Sequence, residues 1–311
     1  MDMKRVIGFA LILGLAISTV CAPILATDIP GSTTISNVPP EVISVSIKTL
    51  ANVNDNTLNP QTQYKFIATV RDNNNLTGIE NILLKLYTNE AGENAADAVE
   101  NHYTFLFRAS DNTWMEIGPG QFNDHLTTGL CVKPSKLSVV SDEYKFVVNL
   151  SSVTTPTIGG GWTAKWMVTD DNGSSNSNTK TFDVNEYLVL MIDDTKLTIS
   201  AYPGQNDLQP AENPTIVTVT ANYNFNIQCK LSGDLIGSTF HDRIPMSNIK
   251  ATQDASHTSE IKLSDNYGNL WSNIGNGEFV EKDIYWFADI PYPLSGDAYT
   301  ADFYVRAIKY T

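Results

Sequence analysis

Apolar residues recur at every second position through much of this chain. Tyr64, Phe66, Ala68 and Val70 alternate with Lys65, Ile67 and Thr69. Ile82, Leu84 and Leu86 keep the period, as do Tyr103, Phe105 and Phe107, then Tyr144, Phe146, Val148 and Leu150. A period of two dries one face of an extended strand and wets the other, the mark of antiparallel sheets. Residues 161–184 read as a hairpin. Trp162, Ala164, Trp166 and Val168 point one way, residues 170–178 make a polar turn region, and residues 181–184 return. About seven short strands separated by Asn, Asp, Gly and Pro turns predict a β-sandwich.

A second unit begins near Tyr187, with strands expected over 188–192, 196–201 and 215–221. Residues 223–231 alternate most cleanly: Tyr223, Phe225, Ile227, Cys229 and Leu231 face inward, while Asn224, Asn226, Gln228 and Lys230 face water. Ile284, Trp286, Ala288 and Ile290 form another strand, and Ala301, Phe303, Val305 and Ala307 close the unit. Residues 90–101 are the one helix candidate, and they lack an apolar stripe. The fold class expected is all-β: two antiparallel sandwiches in tandem, over 42–185 and 186–311, after a cleaved signal peptide.

The turns carry a resemblance. Pro39-Pro40 precedes a Val-rich strand, and Val70-Arg71-Asp72-Asn73 is followed by Gly78-Ile79-Glu80. The unit ends in Trp166-Met167-Val168-Thr169-Asp170-Asp171-Asn172-Gly173. This resembles the immunoglobulin-like and fibronectin-type modules of archaeal and bacterial surface proteins. In the second unit, Thr218-Val219-Thr220-Ala221-Asn222, Ile244-Pro245-Met246-Ser247-Asn248 and Tyr299-Thr300-Ala301-Asp302-Phe303 are similar to the secreted β-sandwich domains that accompany such modules. The resemblance covers nearly all of residues 27–311. It implies immunoglobulin-like sandwiches with extracellular adhesive or structural roles, and it carries over no functional residue.

The amino-terminal segment supports export. Lys4 and Arg5 precede an apolar run over 6–20, then Cys21, Ala22 and Pro23, the order of a secretory signal peptide. Cleavage is expected after Ala26, with Ile24 and Ala26 at the positions a signal peptidase reads. The run is shorter than the roughly 20 residues of a spanning helix. Ser18-Thr19-Val20 lacks the Leu and small-residue spacing that precedes a lipidated cysteine. Residues 27–41, rich in Pro, Ser and Thr, read as a flexible leader. No second long apolar stretch follows, so no membrane span is expected after cleavage and attachment to a surface would be non-covalent.

Composition narrows the partners. The 311 residues include 20 Lys+Arg and 34 Asp+Glu, a formal net charge of −14 at pH 7. Such acidity disfavours nucleic acid and anionic membrane surfaces. An apolar fraction of 42% with 10% aromatics excludes a wholly disordered chain.

Candidate chemistry is sparse. Cys131 and Cys229 remain after cleavage; export would permit a disulfide, but the expected state is two unpaired, largely buried thiols, one in each unit. Asn75-Leu76-Thr77, Asn149-Leu150-Ser151 and Asn172-Gly173-Ser174 match the N-glycosylation pattern at Asn75, Asn149 and Asn172. Asp170, Asp171 and Asn172 supply hard oxygen ligands for calcium, with residues 72–75 and Asp193-Asp194 as further oxygen-rich turns. The same residue types also suit turns for purely conformational reasons. Calcium is the one cofactor candidate.

Sugar binding needs exposed aromatic rings. Trp114, Trp271 and Tyr285-Trp286-Phe287 are the candidates, and Trp271 reads as the loop residue among them. Trp162, Trp166 and Trp286 read as core, which leaves Tyr285 and Phe287 on the opposite face of their strand. His102, His125, His241 and His257 are scattered, and no nucleophile elbow or phosphate loop occurs, so an enzyme is not expected. The expected function is a secreted, cell-surface structural or adhesive protein, as a subunit of a filament or surface layer, acting through self-association or other surface proteins. The alternative is an extracellular module binding calcium or glycans.

Overall fold

The computed structural model describes residues 37–118, 124–211, 213–257, 259–292 and 294–311. The expected signal peptide and residues 27–36 of the leader lie outside the described residues.

Among the described residues, the amino-terminal half carries nine strands: β1 (Glu41–Thr49), β2 (Thr57–Leu58), β3 (Gln63–Arg71), β4 (Ile79–Thr88), β5 (His102–Arg108), β6 (Thr113–Ile117), β7 (Ser141–Asn149), β8 (Trp162–Asp170) and β9 (Ser175–Val184). They form a three-stranded sheet, β1-β3-β7, and a six-stranded sheet, β2-β9-β8-β4-β5-β6. Period-two residues from both sheets meet in one core that includes Tyr64, Phe66, Leu84, Phe105, Phe146, Trp162 and Trp166. Phe146 sits edge-on to Trp166, with ring centroids 5.2 Å apart, and to Trp114 at 4.8 Å. The hairpin turn is tighter than the sequence suggests, because β9 begins at Ser175.

The carboxyl-terminal half carries β10 (Leu188–Ile192), β11 (Lys196–Ala201), β12 (Thr215–Ala221), β13 (Phe225–Leu231), β14 (Leu235–Gly237), β15 (Arg243–Ile244), β16 (Ile249–Thr252), β17 (Ile261–Lys262), β18 (Gly268–Ile274), β19 (Gly277–Ala288) and β20 (Asp297–Lys309). One sheet runs β10-β12-β19-β16-β17; the other runs β15-β14-β20-β13-β18, with β11 also paired to β20. A second core includes Leu197, Val219, Ile227, Cys229, Trp286, Tyr299 and Phe303. The chain is all-β, in several sheets, as its alternation predicts. Among the described residues, no helix is long and apolar enough to cross a membrane.

Residues 90–101 are not helical; they form a run of turns, with a bridge between Ala98 and His102. The Thr88 hydroxyl accepts from the Ala91 amide, and Gly92 takes a left-handed φ of 78°. The acidic side chains are drawn onto the sheet instead of around a helix. Glu93 pairs with Lys165 at 2.7 Å, and the Asp97 carboxylate accepts from the Thr104 hydroxyl and contacts His102 Nδ1 at 2.6 Å. The Lys165 hydrogen bond holds the Glu93 carboxyl below its ordinary range. Anchors of this kind, one of them 72 residues away in sequence, override weak helical propensity.

Polar groups join the two halves, and Val38–Thr311 clusters as one compact unit. Asn222 is 3% exposed. Its amide donates to the Thr154 carbonyl at 2.9 Å and the Asn185 carbonyl at 3.0 Å, and its Oδ1 accepts from the Tyr187 amide at 2.8 Å. Glu278 accepts from the hydroxyls of Ser151 and Ser152. Removing one member of such a network leaves buried groups unpaired, at about 1–3 kcal/mol. Asn222→Ala is therefore expected to lower unfolding stability by about that amount, read as a lower urea midpoint at unchanged slope. An unchanged midpoint would show that the junction bears no load.

Candidate functional site

The outer face of β13, β18 and β20 is where this chain gathers aromatic rings, cations and amides. Inward placement of Ile227, Cys229 and Leu231 leaves Gln228 and Lys230 on the outer side of β13. Register sets Gln228 opposite Arg306 and Lys230 opposite Tyr304 on one flank, and Gln228 opposite Asn269 on the other. The Arg306 guanidinium lies 3.9 Å from the Tyr267 ring centroid, and Lys230 Nζ lies 4.9 Å from Tyr267 and 5.5 Å from Tyr304. Arg306 Nε donates to Gln228 Oε1 at 2.7 Å, and Gln228 Nε2 donates to Asn269 Oδ1. A shallow depression of about 380 Å³ opens here, bordered by Lys230, Ser232, Asp265, Tyr267 and Tyr304.

Gln228, expected to face water, is only 9% exposed because Arg306 and Asn269 cover it. The hydrogen bonds fix the guanidinium over the ring, so the surface is preorganised. The cations cover part of the Tyr267 ring and Tyr304 is the more open of the two, while amides, cations and Asp265 supply donors and acceptors for hydroxyls.

Trp271 is not in a loop. It lies in β18 opposite Ile227, where the ladder shifts register, and is half-buried against the second core. Trp114 packs on Phe107, with centroids 4.5 Å apart. Phe287, expected on an open face, is 1% exposed and lies under His257, with centroids 3.6 Å apart. Tyr285 remains partly exposed on the same sheet.

The oxygen-rich turns of the first half come together. The Asp171 amide donates to the Gly78 carbonyl at 2.8 Å. A Cβ added at Gly78 would stand 3.7 Å from Asp72 Oδ2 and 3.8 Å from Asp171 Oδ1. Each carboxylate already has work. Asp170 Oδ1 accepts from the amides of Asn172 and Ser174, Asp72 Oδ1 from the Asn74 amide, and Asp171 Oδ1 from the Asn172 side chain. Asp193 accepts from the Ile216 amide in the other half. Among the described residues, no group of three or more His, Cys, Asp or Glu is placed to hold a metal ion.

The three sequons differ. Asn172 is exposed in the β8–β9 turn. Asn75 is half-buried at a φ of 80°, and its Oδ1 accepts from the amide and hydroxyl of Thr77. Asn149 ends β7 with a buried, unpartnered Oδ1, and its Ser151 is 3% exposed. Asn75 and Asn172 lie on turns that meet at Gly78 and Asp171.

Two histidines that sequence spacing left unpaired meet carboxylates. His102 Nδ1 contacts Asp97, and His125 Nδ1 lies 3.0 Å from Glu116 Oε1. Both pairs hold loops against the first core.

The chain matches no protein-family model and no curated protein. Among solved structures it is similar to a carbohydrate-binding module of the β-sandwich superfamily, at 11% identity and TM-score 0.22, over 88% of this chain and 100% of that one. It is also similar to a DUF4466 family protein of Parabacteroides merdae, at 9% identity and TM-score 0.25, over 88% and 100%. A third is the secreted serine protease VesC of Vibrio cholerae, at 12% identity and TM-score 0.18, over 86% of this chain and 52% of that one. These superpositions are too loose to transfer any residue's role.

Cys131 and Cys229 are free; Cys131 packs beside the first core and Cys229 inside the second. Burial pushes their thiols up to about 11 and about 12. At pH 8 both are therefore almost wholly protonated and slow to react. An aromatic disulfide reagent is expected to label neither within minutes in native protein, and both Cys131 and Cys229 at once in guanidinium. Failure to label them in guanidinium would mean that they are bridged.

Proposed function

We propose that this is a secreted, cell-surface adhesive protein of two immunoglobulin-like β-sandwiches in tandem, which binds glycans without transforming them. The observation that carries this reading is the outer face of β13, β18 and β20. There Tyr267 and Tyr304 flank Lys230 and Arg306, and Gln228 and Asn269 are locked beside them. The signal-like amino terminus supports export, and the net charge of −14 keeps the surface hydrated. A flat, ring-bearing face on a rigid sheet suits extended glycan chains better than it suits a buried reaction.

A second reading, assembly into a filament or layer, rests on β10. This strand, LVLMI, ends its sheet, carries no charge, and exposes Val189 at 41% and Met191 at 53%. Uncharged apolar edges accept added strands, and residues 27–40 of a neighbour are the candidate donor.

Two measurements separate these readings. On a glycan array, Tyr267→Ala and Tyr304→Ala are each expected to weaken binding about tenfold or more, since each removes an aromatic side chain whose burial is worth on the order of 1.5 kcal/mol or more. Retained affinity in both variants, or no glycan bound, would reject the glycan site. In light scattering, wild-type oligomers that vanish in Met191→Lys would establish the edge contact; monomers at every concentration would reject it.

A further inference from the structure

A separate cavity of about 260 Å³ opens between the two sheets of the first core, at the end where β4 begins. Its floor is apolar, formed by Leu76, Phe107 and Leu137 with the ring of Tyr144. Tyr144 is 1% exposed, yet its hydroxyl bonds no other described group. Burial and the Asp142 carboxylate raise its pKa well above the ordinary tyrosine value, so the hydroxyl keeps its proton and can donate it in a hydrogen bond. The hydroxyl oxygen is not sealed in the core but opens onto the cavity, where an oxygen of a ligand can accept its hydrogen bond.

The rim defines the ligand. Lys133 stands on one segment, Glu80 at the start of β4, and Asp171 in the β8–β9 turn. Neither the Lys133 ammonium nor the Glu80 carboxylate makes an ion pair or side-chain hydrogen bond among the described residues. A rim with one free cation and two carboxylates is complementary to a zwitterion, and the floor below it to an aliphatic or aromatic group.

We infer that this cavity binds a free apolar α-amino acid: side chain on Leu76, Phe107 and Leu137, carboxylate on Lys133 and the Tyr144 hydroxyl, ammonium on Glu80 and Asp171. The volume accommodates leucine or phenylalanine and leaves no room for an extended peptide. This site is distinct from the glycan face and does not depend on it.

Titration calorimetry on the purified protein tests the assignment, with L-leucine and L-phenylalanine as probes. N-acetyl-L-leucine lacks the ammonium, L-leucinamide lacks the carboxylate, and glycine lacks the side chain. Saturable one-site binding of leucine or phenylalanine is expected, with each of the three analogues at least tenfold weaker. Tyr144→Phe is expected to weaken binding about tenfold while leaving the melting temperature unchanged, because the hydroxyl it removes bonds no other described group. Lys133→Met, at the rim, is expected to weaken it by a similar factor. No binding of either amino acid at millimolar concentration would overturn the proposal. So would N-acetyl-leucine binding as tightly as leucine, or affinity unchanged in both variants.

Discussion

An extended strand has two faces, and in this chain only one of them is dry. That constraint organises the rest. Sheets with one apolar face must close on one another, so Phe66, Phe146 and Trp166 meet in one core and Ile227, Trp286 and Phe303 in another. Most polar chemistry is then displaced to outer faces, turns and the open ends of the sheets. The tyrosine-rich face, the carboxylate turns and the cavity above Tyr144 all occupy such places.

The join between the halves is unlike either core. Asn222, Glu278, Ser151 and Ser152 make it with hydrogen bonds, and Lys309 pairs with Glu186 nearby. Directional bonds fix orientation better than apolar contact does, because a rotated interface leaves amides and carboxylates unpaired. A fixed orientation matters for a protein proposed to work by presenting surfaces, since it sets where the outer face of β13, β18 and β20 points relative to the first half.

How much of this was legible in the sequence depends on reach. Alternation within one segment gave β4, β8 and β13 almost residue by residue, because a buried face is written locally. The short strands β14 to β17 escaped, since two to four residues cannot display a period. The turns at 90–101 escaped because Lys165 and His102 decide their path. Trp271 was misplaced by a register shift in β18, which no periodicity reveals. The outer tyrosines were partly legible: Phe303 and Val305 inward put Tyr304 and Arg306 outward on β20. What alternation could not supply was Tyr267, in the loop that leads into β18, which comes under Arg306 of β20 because both β18 and β20 pair with β13.

Glycan contact is proposed on the outer face of β13, β18 and β20. Amide chemical-shift mapping of isotope-labelled protein, titrated with oligosaccharides from a surface polysaccharide, tests it directly. Shifts are expected to concentrate at Gln228, Lys230, Tyr267, Asn269, Tyr304 and Arg306 and to saturate together. Shifts that saturate elsewhere while these six signals stay still would contradict it.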